Sequence, residues 1–194
     1  MRQFIYFSQN AVTSGKALDK ENLMKAGRMD IALHVIINAF FLSHKTRDNV
    51  KLHLIFYGMP NPPKHIEITV TPELDISKKD VAGLIKKILY KYKDGKRTEV
   101  LPGCFVEKKS FLKVVEELIN EGKEIFILDK KGEDICEAEI SDDAVFILGD
   151  QDGLPKKEIK RLKNIVTPIS VGPEVYFASH VVTIVNNELD RRGI

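Results

Sequence analysis

Two glycine-bearing loops late in the chain hold the residues best suited to grip a ligand. The first is Val145-Phe-Ile-Leu-Gly149-Asp-Gln-Asp-Gly153-Leu-Pro155, and the second is Asn164-Ile-Val-Thr-Pro-Ile-Ser170-Val-Gly172-Pro173-Glu-Val-Tyr176. Each follows an apolar, strand-like run, and loops that leave the ends of buried strands are where α/β proteins hold ligands. Glycines at 149, 153 and 172 let the backbone approach a ligand closely, and each loop leads into a helix whose first N–H groups are free to donate. The acidic residues of the first loop argue against a phosphate and for a ligand that carries positive charge or hydroxyls. A cationic cofactor would suit it.

Other chemistries lack their signatures. There is no G-x-S-x-G elbow, no Walker loop and no G-x-G-x-x-G in a first βα turn, which removes the usual support for hydrolase, nucleoside triphosphatase and dinucleotide readings. His34, His44, His53, His65 and His180 show no H-E-x-x-H or facial-triad spacing. They read as isolated structural or surface residues, and no metal is expected. Cys104 and Cys136 have no C-x-x-C spacing, so neither a disulfide framework nor a zinc site is expected, and a reducing, cytoplasmic location fits.

These loops need a scaffold. The 194 residues are 43% hydrophobic, enough for one sizeable core, and the chain reads as a single domain. Gln3 to Ser8 reads as a strand, Ala11 to Lys25 as a polar loop, and Arg28 to His44 as a long helix that is apolar around most of its circumference and must be covered on nearly all sides. Its apolar run from Ile31 to Leu42 is too short for the roughly 20 residues of a membrane span, and no secretion signal is expected. Val50 to Tyr57 and His65 to Val70 alternate like paired strands across the breaker-rich Gly58 to Pro63. Ser77 to Tyr92 has helical spacing with Ser77 as N-cap. After a Gly95 to Gly103 loop come a short strand at Cys104 to Val106 and an amphipathic helix at Ser110 to Asn120. Glu124 to Leu128 and Ala144 to Leu148 are continuous apolar runs of the kind a parallel sheet buries on both faces. Pro155 to Lys163 reads as a short basic helix, Ile165 to Ser170 as a strand and Glu174 to Arg191 as the last helix.

Net charge is only +2, but cations cluster at Lys86-Lys87, Lys91, Lys93, Lys96-Arg97 and Lys108-Lys109, and again at Lys156-Lys157, Lys160, Arg161 and Lys163. Such clusters can neutralise RNA phosphates. A Lys/Glu-rich solvated surface of the kind found on heat-stable proteins gives the same pattern.

Leu148-Gly-Asp-Gln-Asp-Gly-Leu-Pro155, with Ile169-Ser-Val-Gly-Pro-Glu-Val-Tyr-Phe-Ala-Ser-His180, resembles the cofactor half of the SPOUT class of RNA methyltransferases. Met1-Arg-Gln-Phe, Ala26-Gly-Arg28-Met-Asp30, Ala39-Phe-Phe-Leu-Ser-His44 with Arg47, and Pro102-Gly103 narrow the likeness to the archaeal tRNA (pseudouridine-54 N1)-methyltransferases, over nearly the whole chain. One departure is Val181, where the family pattern suggests cysteine; a backbone contact there would survive the change.

The resemblance implies an α/β-knot fold: a mostly parallel sheet with helices on both faces and a C-terminal trefoil knot over Ala144 to Tyr176, the last helix being threaded through it. It implies S-adenosylmethionine as cofactor, held mainly by backbone groups at Leu128, Gly149, Ile169, Ser170, Val171, Gly172, Pro173, Glu174, Val175 and Val181. It implies a homodimer, in which the helix after Arg28 finds part of its cover on the second subunit, and tRNA as partner. Asp30 becomes the candidate to accept the N1 proton or hydrogen-bond the base, and Arg28 to hold phosphate or uracil oxygens; an N-terminal cap or a surface salt bridge is the alternative reading of the two, at equal weight. Their i, i+2 spacing requires the helix to begin beside them. Arg47, Lys87, Lys91, Arg97, Lys108 and Lys109 become the RNA-backbone surface. A pseudouridine methyltransferase for small-subunit ribosomal RNA and a noncatalytic RNA-binding assembly factor remain the alternative readings.

Overall fold

A computed structural model describes all 194 residues. Eight strands form one sheet: β1 (Arg2–Ser8), β2 (Val50–Phe56), β3 (Lys64–Thr69), β4 (Thr98–Leu101), β5 (Cys104–Glu107), β6 (Ile125–Asp134), β7 (Val145–Gly149) and β8 (Thr167–Ser170). The spatial order is β4-β5-β3-β2-β1-β7-β6-β8. From β2 to β8 every neighbouring pair is parallel, whereas β3, β5 and β4 add an antiparallel flank. Continuous apolar runs therefore do lie at the parallel centre, with Ile125 beside Val145 and Gln3 also beside Val145. The alternating pair flanking Gly58 to Pro63 is the antiparallel β2–β3 hairpin, in which Lys51 faces Thr69 and Phe56 faces Lys64.

The five helices divide between the two faces. One face carries α1 (Met29–Phe40), α2 (Val81–Tyr90) and α5 (Ala178–Arg192) over Phe4, Tyr6, Leu52, Leu54 and Phe146. The other carries α3 (Phe111–Asn120) and α4 (Lys156–Leu162) over Ile5, Phe7, Ile55, Val145 and Ile147. Alternate residues of β1 thus feed two cores, which is why all seven of its residues are buried. No helix is long and apolar enough to cross a membrane.

Several boundaries differ from the sequence reading. The first helix ends at Phe40, because Phe41 pairs with Thr46 in an isolated bridge and Arg47 N–H donates to the Phe40 carbonyl at 2.7 Å. Most of α1 is covered within its own chain by α5, α2 and the sheet, leaving His34 exposed and Ile31 and Ile37 half-buried. Ser77 caps only a single 3₁₀ turn at Lys78–Asp80; the cap of α2 is Asp80, which accepts from Gly83 N–H at 3.2 Å. The Gly95 to Gly103 segment contains β4. Strand β6 runs past Leu128, because residues 129–132 bulge out and pairing with β8 resumes at Glu133. The last helix starts at Ala178, so Glu174 to Phe177 belong to the loop that precedes it.

The candidate active site

A cavity of about 1150 Å³ opens at the carboxyl ends of β6, β7 and β8, beside the first turn of α1. It brings together Arg28 and Asp30 with Leu128, Gly149 and the Ile169 to Gly172 segment, and with Glu174, Val175 and Val181. Residues more than a hundred positions apart meet because the parallel order puts β7 directly beside β1, and the chain leaving β1 returns as α1 against the same strand ends. Pro173, expected with its neighbours, does not line the cavity and is exposed.

The first loop is tightly folded. Gly153 N–H donates to the Asp150 carbonyl at 3.0 Å, Asp152 N–H to Asp150 Oδ1 at 2.9 Å, and Asn10 Nδ2 to Asp152 Oδ2 at 2.7 Å. A Cβ on Gly149 would lie 2.6 Å from the Gly153 carbonyl carbon, so the loop can fold back only over a bare backbone. The second loop is held by Ser170, whose Oγ donates to the Gly172 carbonyl at 3.0 Å and accepts from Gly172 N–H at 3.2 Å. Gly172 takes φ 136, where a side chain would be strained. Both loops are therefore braced by hydrogen bonds of their own, which lowers the ordering cost of binding a ligand.

Arg28 and Asp30 pair where the helix begins, which is the condition their i, i+2 spacing set. Arg28 is the N-cap of α1 in the left-handed region, φ 60 and ψ 39, so the helix begins at Met29. From there Arg28 Nε donates to Asp30 Oδ1 and Nη2 to Oδ2, both at 3.0 Å. A left-handed non-glycine residue costs about 1–2 kcal/mol, and such strain clusters at functional sites. The Arg28 hydrogen bonds hold the Asp30 carboxyl below the ordinary carboxylate range. Each Asp30 oxygen thus accepts one bond from the guanidinium, which is held beside the cavity.

Three lining features went unassigned in the sequence. Asp150 is 8% exposed and its Oδ2 is buried with no partner; the signal available was an acid directly after a strand-ending glycine. Lys156 carries the second basic cluster to the cavity, because α4 starts where the first loop ends. Phe177 lines the cavity too and, like Val175, stays open to solvent, at 76% and 85% exposed.

The cationic residues separate. Lys87, Lys91 and Lys108 are exposed. Arg47 is committed to Asp190, with Nη1–Oδ1 at 2.7 Å, and Lys109 lies between Glu107 and Glu117, 2.7 Å from each. Arg97 pairs with Glu67 at 3.1 Å and sits 3.8 Å over the Phe105 ring.

Two histidines read as isolated are in fact partners. His53 Nδ1 and His65 Nε2 lie 2.9 Å apart, with His53 Nε2 at 3.0 Å from Gln3 Oε1 and His65 Nδ1 at 3.1 Å from Glu107 Oε1. Glu67 completes a group with metal-ligating atoms. The ring planes are 15° apart and the centroids 5.2 Å apart, the N···N distance plus two ring radii, so the nitrogens face each other head-on. That is hydrogen-bond geometry; chelation requires two lone pairs that converge on a third point.

Parallel strand ends, a large cavity beside them and glycine loops braced by their own hydrogen bonds define a cofactor-binding α/β enzyme. The chain matches, over residues 1–194, the family described as "Putative SAM-dependent RNA methyltransferase". Among its relatives, the tRNA (pseudouridine(54)-N(1))-methyltransferase of Pyrococcus abyssi is 35% identical over 205 residues, covering 100% of both chains. The enzyme of the same name from Methanocaldococcus jannaschii is 32% identical, covering 100% of this chain and 98% of its own. Among solved structures, Archaeoglobus fulgidus Nep1 bound to S-adenosylhomocysteine superposes with a TM-score of 0.65 at 14% identity, covering 100% of this chain and 99% of that one. The chain belongs to this family of S-adenosylmethionine-dependent RNA methyltransferases, with the α/β architecture of the SPOUT class.

Residues at the site fit that cofactor. Its adenosine requires apolar walls and backbone hydrogen-bond partners, which Leu128, Ile169 and the two glycine loops supply. The Glu174 carboxylate at the lining suits a cationic ligand.

Proposed function

We propose that this chain methylates N1 of pseudouridine at position 54, in the T-arm loop of tRNA. The full-length identity to relatives that carry this name supports the reading most directly, and the juxtaposition of Arg28 and Asp30 with the cofactor cavity agrees with it. S-adenosylmethionine supplies a methyl group already activated on a sulfonium. The protein's part is alignment, exclusion of water and acceptance of a proton. Pseudouridine is joined to ribose through carbon and keeps a free N1–H, whereas uridine carries its glycosidic bond at N1; only the isomer can react there.

In this reading Leu128, Gly149, the Ile169 to Val175 loop and Val181 enclose the cofactor. Arg28, braced by Asp30, donates to a uracil oxygen. Lys87, Lys91 and Lys108 face the RNA backbone on one side, and Lys156, Lys157, Lys160 and Arg161 beside the cavity face it on the other. Lys108 follows β5, which four strand spacings separate from β7, roughly 19 Å, whereas Lys87 and Lys91 on α2 lie over the opposite face of the sheet from α4, so the RNA would pass around the sheet to meet both groups. RNA loops present splayed bases that can enter such a pocket.

The whole chain acts as one domain, in the cytoplasm, and pairs as a homodimer whose contact covers Val175 and Phe177, apolar side chains that no part of their own chain shields. The trefoil knot belongs to the same proposal: β6 lies between β7 and β8, and the chain beyond β8 returns as α5 to lie against α1. The test incubates the protein with labelled S-adenosylmethionine and T-arm hairpins that carry pseudouridine or uridine, beside a small-subunit ribosomal hairpin with pseudouridine. Mass spectrometry should find the label at N1 of the T-arm pseudouridine alone. Label only in the ribosomal hairpin, or in none, would overturn the proposal.

A further inference from the structure

The methyl transfer requires a group to take the N1 proton, and the cavity offers few. Arg28 donates one bond to each Asp30 oxygen and holds the carboxyl below its ordinary range, which makes it a weak base. Tyr6, on β1 next to the strand that carries Asp150, has a fully buried hydroxyl with no hydrogen-bond partner and lies outside the lining. Burial and then the Asp150 charge push its ionisation far up, against a smaller lowering by Ser8, so it stays protonated. His34 and His180 line the mouth but are exposed to water. Glu174 is exposed as well.

Asp150 differs from all of these. Its backbone N–H is fixed to the Phe7 carbonyl at 3.0 Å, and its Oδ1 is used by Asp152 N–H at 2.9 Å. Its Oδ2 is sealed from solvent without a partner, on a residue that lines the cavity where β7 ends. A carboxylate oxygen desolvated in this way costs free energy until a donor reaches it. The fold thus holds in place an acceptor that no protein group satisfies.

We propose that Asp150 Oδ2 accepts the N1–H of the target pseudouridine, and so is both the specificity element for the isomerised base and the acceptor of its proton. The inference rests on the pseudouridine reading above. Uridine presents a carbon-bound hydrogen at the corresponding ring position and leaves the carboxylate unpaired; an unpaired buried polar group is the strongest available means of rejecting a near-isostere. During transfer the N1–H electron pair becomes the N1–carbon bond, and the pair of the carbon–sulfur bond remains on sulfur. The base reaches Oδ2 once the carboxyl turns its sealed oxygen toward the cavity that Asp150 lines, and the proton passes to that oxygen and from there to water in the cavity.

Asp150→Asn tests this directly, because the amide oxygen can still take the Asp152 N–H while the NH₂ replaces Oδ2 with a donor. Asp150→Ser is the second variant, keeping a hydroxyl for the turn and removing the acceptor in another way. The first readout is independent of turnover: anisotropy with fluorescent T-arm hairpins and no methyl donor. Wild type should bind the pseudouridine hairpin about tenfold or more tightly than the uridine hairpin, as one hydrogen bond to a charged acceptor predicts, and both variants should bring that ratio close to one. In the second readout, kcat should fall about 10²–10⁴-fold, with S-adenosylmethionine affinity by calorimetry within about twofold. The residual rate of the variants should climb about tenfold per pH unit through neutrality, as hydroxide replaces the carboxylate, a slope that wild type lacks. Variants that keep the binding ratio, or turn over within about threefold of wild type, overturn the assignment of Asp150. If the variants behave so while wild type still methylates only pseudouridine, Asp150 alone is misassigned; a wild type that methylates some other base overturns the pseudouridine reading itself.

Discussion

Arg47 is where a sequence-based RNA contact and the folded structure predict opposite results. Its guanidinium meets both oxygens of Asp190, Nη1–Oδ1 at 2.7 Å and Nη2–Oδ2 at 2.5 Å, and Arg2 reaches the same carboxylate at 2.9 Å. The Arg47 side chain is 10% exposed and that of Asp190 40%. These bonds hold the Asp190 carboxyl below its ordinary range, through Arg47 first and Arg2 after it. Arg47→Met removes the pair and keeps the apolar stem. Breaking a fully buried pair costs about 3–5 kcal/mol and an exposed one at most about 1 kcal/mol. With Asp190 part-solvated and still held by Arg2, the loss should be about 1–2 kcal/mol, or roughly 2–8 °C in Tm for a chain of this size. Calorimetric unfolding measures that loss. Filter-binding of a T-arm hairpin across a salt series measures the other role, because each lost phosphate contact lowers the log–log salt slope by about one. The expected result is reduced stability with an unchanged slope. Unchanged stability with a slope lower by about one would refute the reasoning and return Arg47 to the RNA surface.

The same salt series on Lys108→Gln should give the converse, a slope lower by about one with stability within about 0.5 kcal/mol. Gly149→Ala places a Cβ 2.6 Å from the Gly153 carbonyl carbon; S-adenosylmethionine affinity by calorimetry should fall at least about tenfold with the circular dichroism spectrum unchanged, and unaltered affinity would remove Gly149 from the site. Asp30→Asn keeps one acceptor for Arg28 but loses the charged fork, so kcat should fall about tenfold while cofactor affinity holds; wild-type turnover would exclude the bracing role. Acid should destabilise the antiparallel flank. Burial tends to raise the Glu107 carboxyl, but His65 and Lys109 outweigh it and bring it from 4.5 to about 2. Its folded value is the lower one, so its contribution of about 3 kcal/mol is complete above the unfolded value and lost as pH falls from about 4.5 toward 2. His53, lowered by burial and then by His65, has the same sign and starts the decline below its unfolded value of 6.5. Urea midpoints from pH 7 to pH 3 should therefore drop less in Glu107→Gln than in wild type; equal slopes would contradict the linkage.

Local chemistry made much of this protein legible in its sequence. The paired strands around Gly58 to Pro63, the amphipathic helices at α2, α3 and α5, the two parallel runs at 125–128 and 145–148, and the glycine loops that line the cavity all follow from periodicity and backbone freedom, which are properties of neighbouring residues. The requirement that a helix begin beside Arg28 and Asp30 was also a local statement, and the left-handed cap meets it.

Partnership across the sheet was settled only by the tertiary structure. Nothing in the sequence near Arg47 points to Asp190, 143 residues away, nor does the spacing of His53 and His65 show that antiparallel pairing of β2 and β3 will set their nitrogens face to face. Lys109 and Arg97 likewise acquire partners in Glu107, Glu117 and Glu67 that only the sheet order brings beside them. Asp150 illustrates the point most sharply: in the sequence it is one of two acids in a turn, and in the fold its Oδ1 closes that turn while its Oδ2 is left without a donor. Whether a charge binds its own chain or a ligand depends on which opposite charge the sheet order carries within hydrogen-bond reach, and strand order is not encoded in any local run of residues.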